Sequence, residues 1–562
     1  MEPQKKCKLV FRAQCLLPLR EGWAVVGVLL LALALRGRGL EWGLPTAQHL
    51  FSYHPDEWSL VVRAARMAET GDLNPHFFNY GSLPIYFNAL VFHLAAKGGL
   101  TELQPLGNGL LYLLARLVTV AASLFTVFLT YLLGARLFSR QVGLGAALLL
   151  AVTPLHVVHS HYATVDVPLT LWVLLALWAA AHLWPAETPP AGRAAWGWHL
   201  LAGMALGWGT ATKYNAALAL LPVGLASLCW GRQTRMPRRC LLPLALVGSM
   251  VVAFLLAEPY AIGDFPQFWH DLKAEMRHAR EGWTLTYRGL GPGWWYYLRV
   301  GLPTGWGWLP TLMGGAAVLW AGGRWLRTRR MRAEGWLLTW IGPHFLLVSQ
   351  GRDYFLRYLL PLLPELALLV SALWGEWGLG ARGRRAKFCA GSIVAAVLLA
   401  AGLKATAYVC LLSRPDVRDL AAQWCFRHLP PGATVGLLNV PWFYTPPLVP
   451  YNGGPLLSRE EFQTQWAEGP YRLQLIEYGP EGIKGERPEW MVLSEFEFAD
   501  ALRLGHTEIR GLMRDLKRHY RLLFRQRPRP RLFGLTFDAG TAPHHDWLYP
   551  MPEVRVYRKD TH

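Results

Sequence analysis

Residues 109–134 read GLLYLLARLVTVAASLFTVFLTYLLG, with Arg116 as the one charged side chain. A helix crosses the hydrocarbon core of a bilayer in about 20 mainly apolar residues, so this run is long enough to span. Arg116 lies well inside it, and a cation at that depth needs a partner within the bundle. Apolar runs near that length, or somewhat shorter, recur at about 22–35, 143–159, 167–184, 199–213, 215–230, 240–257, 298–320, 335–349, 357–375 and 389–412. The sequence therefore predicts about eleven spans. No small-residue cleavage site follows the first, which reads as an uncleaved helix.

Composition agrees. The chain has 562 residues, 53% hydrophobic and only 17% charged, with mean hydropathy +0.20. A soluble protein of this length would carry a more charged surface, and long apolar runs exclude a disordered or collagen-like chain. Tryptophan is abundant, at 27 residues, and favours membrane–water interfaces. The seven cysteines (7, 15, 229, 240, 389, 410, 425) form neither a CxxC nor a disulfide framework.

Lys+Arg 56 against Asp+Glu 37 leaves a formal charge of +19. The excess is clustered. Lys5, Lys6, Lys8, Arg12 and Arg20 precede the first span; Arg136 and Arg140 follow the second. Arg232, Arg235, Arg238 and Arg239 follow the sixth. Arg324, Arg327, Arg329, Arg330 and Arg332 follow the eighth, and Arg382, Arg384, Arg385 and Lys387 the tenth. Strict alternation puts every cluster on one face, which the positive-inside rule makes cytoplasmic. The loop at 185–198 is the weakest, with Arg193 alone. Topology accounts for the charge, and no nucleic-acid partner is implied. The expected protein is an integral, multi-pass protein of the plasma (inner) membrane, with a cytoplasmic N-terminus.

Three segments then lie outside: a first loop at about 36–108, a second at about 258–297, and a tail from about 413. Leu83–Ala96 is apolar but short and interrupted by Asn88 and His93, so it suits a surface-lying or re-entrant helix better than a span. The tail predicts a helix over Pro415–Leu429 and short strands at Ala433–Leu438, Glu489–Phe498 and Glu553–Tyr557. The expected division is a transmembrane domain at 1–412 and a small extracytoplasmic mixed α/β domain at 413–562. The absence of an internal repeat counts against transporter folds built from repeated halves.

Chemistry-bearing residues gather at the outer ends of the spans. In Tyr53-His54-Pro55-Asp56-Glu57-Trp58 the proline fits a helix start, placing Asp56 and Glu57 in its first turn. Helix capping is one reading; a general base held at the membrane surface is the other. Asn74–Pro84, with His76, follows. His156, His159, His161 and Asp166 cluster around an outer turn, read either as an N-cap with interfacial histidines or as part of a site. No strong metal-ligand spacing appears, so no metal ligand is assigned. Lys213, next to Tyr214, and Arg357, next to Tyr358, are cations on the face that should lack them. They either snorkel to lipid phosphate or recognise the phosphate of a substrate.

These motifs, Asp56-Glu57, Asn74–Pro84, His161–Pro168, Gly209–Asn215 and Arg357–Pro361, resemble in order and sidedness the lipid-carrier-dependent glycosyltransferases of the GT-C type. The nearest branch is the protein O-mannosyltransferase and aminoarabinose transferase group. The likeness covers roughly residues 20–375. It implies an all-α, polytopic GT-C membrane fold that carries a small outer domain. It implies transfer of a sugar from a polyprenyl-phosphate carrier to a hydroxyl of a lipid, glycan or protein acceptor, with inversion. By the same resemblance Asp56 is the general base, Glu57 orients the acceptor or supports Asp56, and Asp166 shapes the acceptor site. Lys213 and Arg357 would neutralise the departing phosphate, and His76, His161, Tyr214 and Tyr358 would line the substrate site. No cofactor is firmly implied, and a divalent metal is left open. The rival readings are a transporter or lipid-sugar flippase and a non-catalytic assembly protein.

Overall fold

The computed structural model describes residues 19–184, 189–234, 241–282, 284–380, 384–449, 461–462, 469–537 and 545–560. Lys5, Lys6, Lys8, Arg12, Arg235, Arg238, Arg239 and Arg382, and cysteines 7, 15 and 240, lie outside the described residues. Cys229, Cys389, Cys410 and Cys425 are free thiols.

Helices α1 (Leu19–Gly37), α2 (Pro55–Thr70), α3 (Leu83–Lys97) and α4 (Gly109–Leu137) come first. They lead into α5 (Arg140–Ala151), α6 (Pro154–His159), α7 (Asp166–Ala181) and α8 (Gly192–Thr210). The bundle continues through α9 (Leu220–Gln233), α10 (Leu241–Ala257), α11 (Phe265–Glu281), α12 (Trp308–Thr328), α13 (Ala333–Gln350), α14 (Leu363–Gly380) and α15 (Arg384–Leu412). Segments Gly109–Leu137, Tyr214–Gln233, Leu356–Trp377 and a stretch inside Gly391–His428 are long and apolar enough to cross a membrane. Shorter apolar helices lie at Gly22–Gly37, Arg140–Ala151, Asp166–Ala181 and Leu241–Ala257.

Two expected spans are broken, each for a local reason. The run at 143–159 is interrupted at Val152–Thr153, because Pro154 cannot continue the preceding helix and instead starts α6. The run at 298–320 begins inside a separate short helix, 293–305, with a π segment at Tyr297–Gly301, and only after Gly307, at φ 104, does α12 start. The predicted start at 357 is a 3-10 turn, Leu356–Leu362, containing Pro361; α14 follows it and packs on α5 and α12.

The central layer is α4, against α1, α5 and α7, with α8 packed on α7 and α10 on α8. The α8–α10 seam is tight because it is lined by glycine. A Cβ at Gly203 would overlap the Leu246 carbonyl, and one at Gly207 that of Met250.

The tail is mixed α/β. Helix α16 (Val417–His428), capped by Asp416, precedes strands β1 (Thr434–Leu437), β2 (Arg472–Leu475) and β3 (Trp490–Ser494). Helices α17 (Glu495–Arg503) and α18 (Thr507–His519), then β4 (Tyr520–Gln526) and β5 (Val554–Lys559), complete it. The sheet order is β2-β1-β3-β5-β4, parallel on one side of β3 and antiparallel on the other. The strand expected over Glu489–Phe498 ends at Ser494, where a capping box formed with Glu497 turns the chain into α17.

Candidate active site

Pro55 occupies the first position of α2 after His54, whose extended backbone (φ −102°, ψ 111°) sets the helix entry. Asp56 and Glu57 therefore share the first turn, but successive helical residues project about 100° apart. They enter different surroundings.

Glu57 is fully buried and meets Arg116 of α4 through two bonds, Nε–Oε1 at 2.8 Å and Nη2–Oε2 at 2.7 Å. Its Oε1 also accepts the Ala163 backbone N–H at 2.7 Å, and its Oε2 the Ser52 hydroxyl. Burial alone would push this carboxyl up, but Arg116 and Ser52 hold it below the usual range. Arg116 in turn donates to the carbonyls of Leu40 and Trp42, at 2.6 and 2.7 Å. This is the bundle partner that Arg116 required, and it ties α4, the loop after α1, the Ala163 turn and α2 together.

Asp56 keeps 22% side-chain exposure and meets Arg357 Nη2 at 3.2 Å. Arg357 also approaches Asp166 Oδ2 at 3.6 Å, and Lys213 Nζ donates to Asp166 Oδ1 at 2.7 Å. Four residues from four separate segments thus form one alternating chain of charge, Asp56–Arg357–Asp166–Lys213. Aromatic faces line it: Phe355 lies 3.9 Å from the Arg357 guanidinium, and Tyr358 4.5 Å from Lys213 Nζ. The ionised phenol of Tyr80 is disfavoured first by Asp56 and then by burial, which keeps that hydroxyl protonated.

The remaining expected residues hold the frame. Tyr214 reaches the Phe78 carbonyl at 2.8 Å and Glu258 Oε1 at 3.2 Å. The buried His161 ring lies between the Val157 and Arg38 carbonyls, at 2.8 and 2.9 Å, and burial pushes its pKa down to about 4. His76, in a left-handed conformation (φ 49°), partners Asp72 at 3.2 Å and Asp264 at 3.7 Å rather than the four-residue cluster. Among the described residues, no group of three or more His, Cys, Asp or Glu is arranged to hold a metal ion.

Three further carboxylates were missed from the sequence. Glu258, at the end of α10, accepts the Ser82 backbone N–H at 3.2 Å, and burial pushes its pKa up to about 8. Glu275, on α11, bonds Asn79 and feels Lys213 and Arg357; its pKa is raised by burial. Asp546 accepts the Arg357 backbone N–H at 3.0 Å. Glu258 and Glu275 fall in the expected second loop, yet single carboxylates among polar neighbours give no pattern. Asp546 is distant in sequence from every motif.

The first loop is stitched to the Lys213 turn by backbone bonds from Gly81 N–H to the Thr212 carbonyl (3.2 Å) and from Leu83 N–H to that of Ala211 (3.0 Å). A Cβ at Gly81 would overlap the Ala211 carbonyl, so only glycine permits this approach.

Residues 62–239 match the family model described as dolichyl-phosphate-mannose-protein mannosyltransferase. The resemblance read from the sequence holds. Among curated proteins, the chain is 29% identical over 356 residues to undecaprenyl phosphate-alpha-4-amino-4-deoxy-L-arabinose arabinosyl transferase 1 of Pseudomonas fluorescens. That match covers 61% of this chain and 59% of the relative. The corresponding Pseudomonas aeruginosa protein is 28% identical, over 60% of this chain and 58% of its own. The chain thus spans under two thirds of the length of these relatives. Among solved structures, ArnT from Cupriavidus metallidurans bound to undecaprenyl phosphate aligns at TM-score 0.49 and 16% identity, over 95% of this chain and 98% of that one. An Archaeoglobus fulgidus oligosaccharyltransferase aligns at TM-score 0.47 and 14% identity, over 75% and 63%. The family match contains Asp166 and Lys213 and stops before Arg357.

Proposed function

We propose that the chain is a membrane glycosyltransferase that moves a sugar from a polyprenyl-phosphate carrier to an acceptor hydroxyl outside the cytoplasm, with inversion. The observation that carries this is the chain of Asp56, Arg357, Asp166 and Lys213, assembled from four segments at one place. An accessible carboxylate beside two cations is what a displacement at an anomeric carbon requires. Asp56 takes the proton of the acceptor hydroxyl as its oxygen attacks the anomeric carbon. The bond from that carbon to the phosphate oxygen breaks, and the carrier leaves as a phosphate with one more negative charge. Arg357 and Lys213 stabilise that developing charge, and they do so most strongly in a site shielded from water. In the resting arrangement Arg357 is held by Asp56 and Asp166; an incoming phosphate competes for it and frees Asp56 to act as base.

Asp166 orients Lys213, whose ammonium it binds at 2.7 Å. Glu57 positions α2 rather than meeting substrate, since its side chain has no exposure and both its oxygens are taken by Arg116, Ser52 and the Ala163 N–H. The likeness to aminoarabinose and mannose transferases supports a lipid-phosphate donor and leaves a lipid, glycan or protein as acceptor. The basic clusters support about eleven spans, an inward N-terminus and an outer unit at 413–562 in the plasma membrane, with the site on the outer face.

The test is transfer of radiolabelled sugar from polyprenyl-phosphate donors by the purified chain in proteoliposomes. A general base contributes about 10²–10⁴ in rate. Asp56→Asn should lower turnover at least ~100-fold while leaving the protein folded. Near-normal transfer by the folded variant would remove Asp56 from the mechanism.

A further inference from the structure

Between β4 and β5 the chain leaves the sheet and returns to the membrane unit. Its short helix His545–Leu548 and the following Tyr549 are buried there, with Asp546 at 0%, Trp547 at 1% and Tyr549 at 2% exposure. Asp546 Oδ2 accepts the Arg357 N–H at 3.0 Å and lies 3.9 Å from His159 Nε2. The Tyr549 side chain meets the Arg357 guanidinium. The Tyr549 ring packs edge-on to His54, 4.6 Å between centroids, immediately before the helix that carries Asp56. Trp547 Nε1 donates to the Tyr408 hydroxyl at 2.5 Å. The Tyr549 carbonyl accepts from Arg418, which also binds Asp416 and stacks on Tyr53.

We propose that residues 546–549 of the C-terminal unit complete the transfer site, with Asp546 and Tyr549 as positioning residues that hold Arg357 where it meets the leaving phosphate. This rests on the glycosyltransferase reading above and goes further by giving the tail a part in it.

The inserted segment does more than dock. A docking face buries apolar groups and satisfies its polar ones, because an unpaired buried polar atom is costly. Here a fully buried carboxylate has been carried into the bundle, and its Oδ1 has no hydrogen-bond partner among the described residues. The same holds for Arg357 Nη1 and for both ring nitrogens of His54 and His159. Burial pushes Asp546 up to about 6, with Arg357 working against that shift. Polar atoms left unmatched around one arginine fit a site that accepts a polar ligand. The arginine needs external restraint, because two carboxylates, Asp56 at 3.2 Å and Asp166 at 3.6 Å, compete for it. Asp546 fixes its backbone and Tyr549 its head.

Undecaprenyl phosphate is the probe, titrated against the purified full-length chain, with thermal unfolding recorded for each variant. Tyr549→Phe removes one hydroxyl and keeps the ring contacts with His54, Phe443 and Phe496. It should weaken binding about tenfold and lower kcat by at least as much, with Tm within a few degrees of wild type. In an Arg357→Lys background the same substitution should weaken binding no further. Asp546→Asn, which keeps an oxygen for the Arg357 N–H, should lower kcat less than Tyr549→Phe does. If Asp546→Asn does not fold, Tyr549→Phe decides the matter. Wild-type binding and kcat in Tyr549→Phe, or a loss that adds fully to that of Arg357→Lys, overturns the inference and leaves the transferase reading standing. A wild-type chain that neither binds undecaprenyl phosphate nor transfers sugar overturns that reading itself.

Discussion

Glu57→Gln separates a structural acid from a chemical one. Glu57 and Arg116 both have zero side-chain exposure and are joined bidentately. Removing one charge from a buried pair costs roughly 3–5 kcal/mol, because the remaining ion is left uncompensated. Glutamine keeps one carbonyl oxygen, which returns about 1 kcal/mol through a bond to Arg116 or to the Ala163 N–H. The net loss should be about 3 kcal/mol. Thermal unfolding in detergent, followed by intrinsic tryptophan fluorescence, should show a clear drop in Tm. Turnover per folded molecule should fall far less than in Asp56→Asn. The double variant Glu57→Gln/Arg116→Met should regain part of the lost stability, since no buried charge remains. The recovery is partial because the Leu40 and Trp42 carbonyls lose their donor. An unaltered Tm with a ~100-fold loss of turnover in Glu57→Gln would refute this reasoning and put Glu57 in the chemistry.

Asp166→Asn should reduce donor affinity and kcat together, because Lys213 and Arg357 both lose an anchor; unchanged kinetics in a binding and turnover assay would count against the charge chain. Gly81→Ala should abolish transfer and lower expression of folded protein by prying the first loop from the Lys213 turn, as judged by size-exclusion profile and activity. Asp419 and Asp546 each have a folded-state pKa of about 6, raised by burial above the usual 3.8. Between those values the folded state binds more protons than the unfolded state, so these groups make stability rise as pH falls from 7 towards 4.5. Tm measured across that range should therefore rise first, and Asp546→Asn should flatten the rise.

Much of the helical bundle and part of the C-terminal sheet were legible because period and length carry them. Single apolar runs gave the helices, and alternation with turn residues gave β1 and β5. The breaks at Pro154 and Gly307 were written in the residues but masked by continuous hydropathy, which does not register a lost backbone bond. Of the four residues the structure brings together, Lys213 and Arg357 stood out as cations on a face that should lack them, and Asp56 and Asp166 as carboxylates at helix starts. Apart from the family resemblance, nothing in the residues told Asp56 from its neighbour Glu57. That distinction depends on which way two adjacent side chains face, and so on where Arg116 lies after folding. Asp546 left no trace at all. Its meaning comes from a contact across nearly two hundred positions of chain, |i−j| = 189.

Strand β5 lies between β3 and β4, although both precede it in the chain. The sheet therefore cannot close until residues 554–559 have been made. The segment at 546–549 is made just ahead of them, so Arg357 stays unbraced until it arrives. A nascent molecule would thus be idle until residues 546–549 have been made and docked, and clipping near residue 545 would silence a mature one without touching the helical bundle.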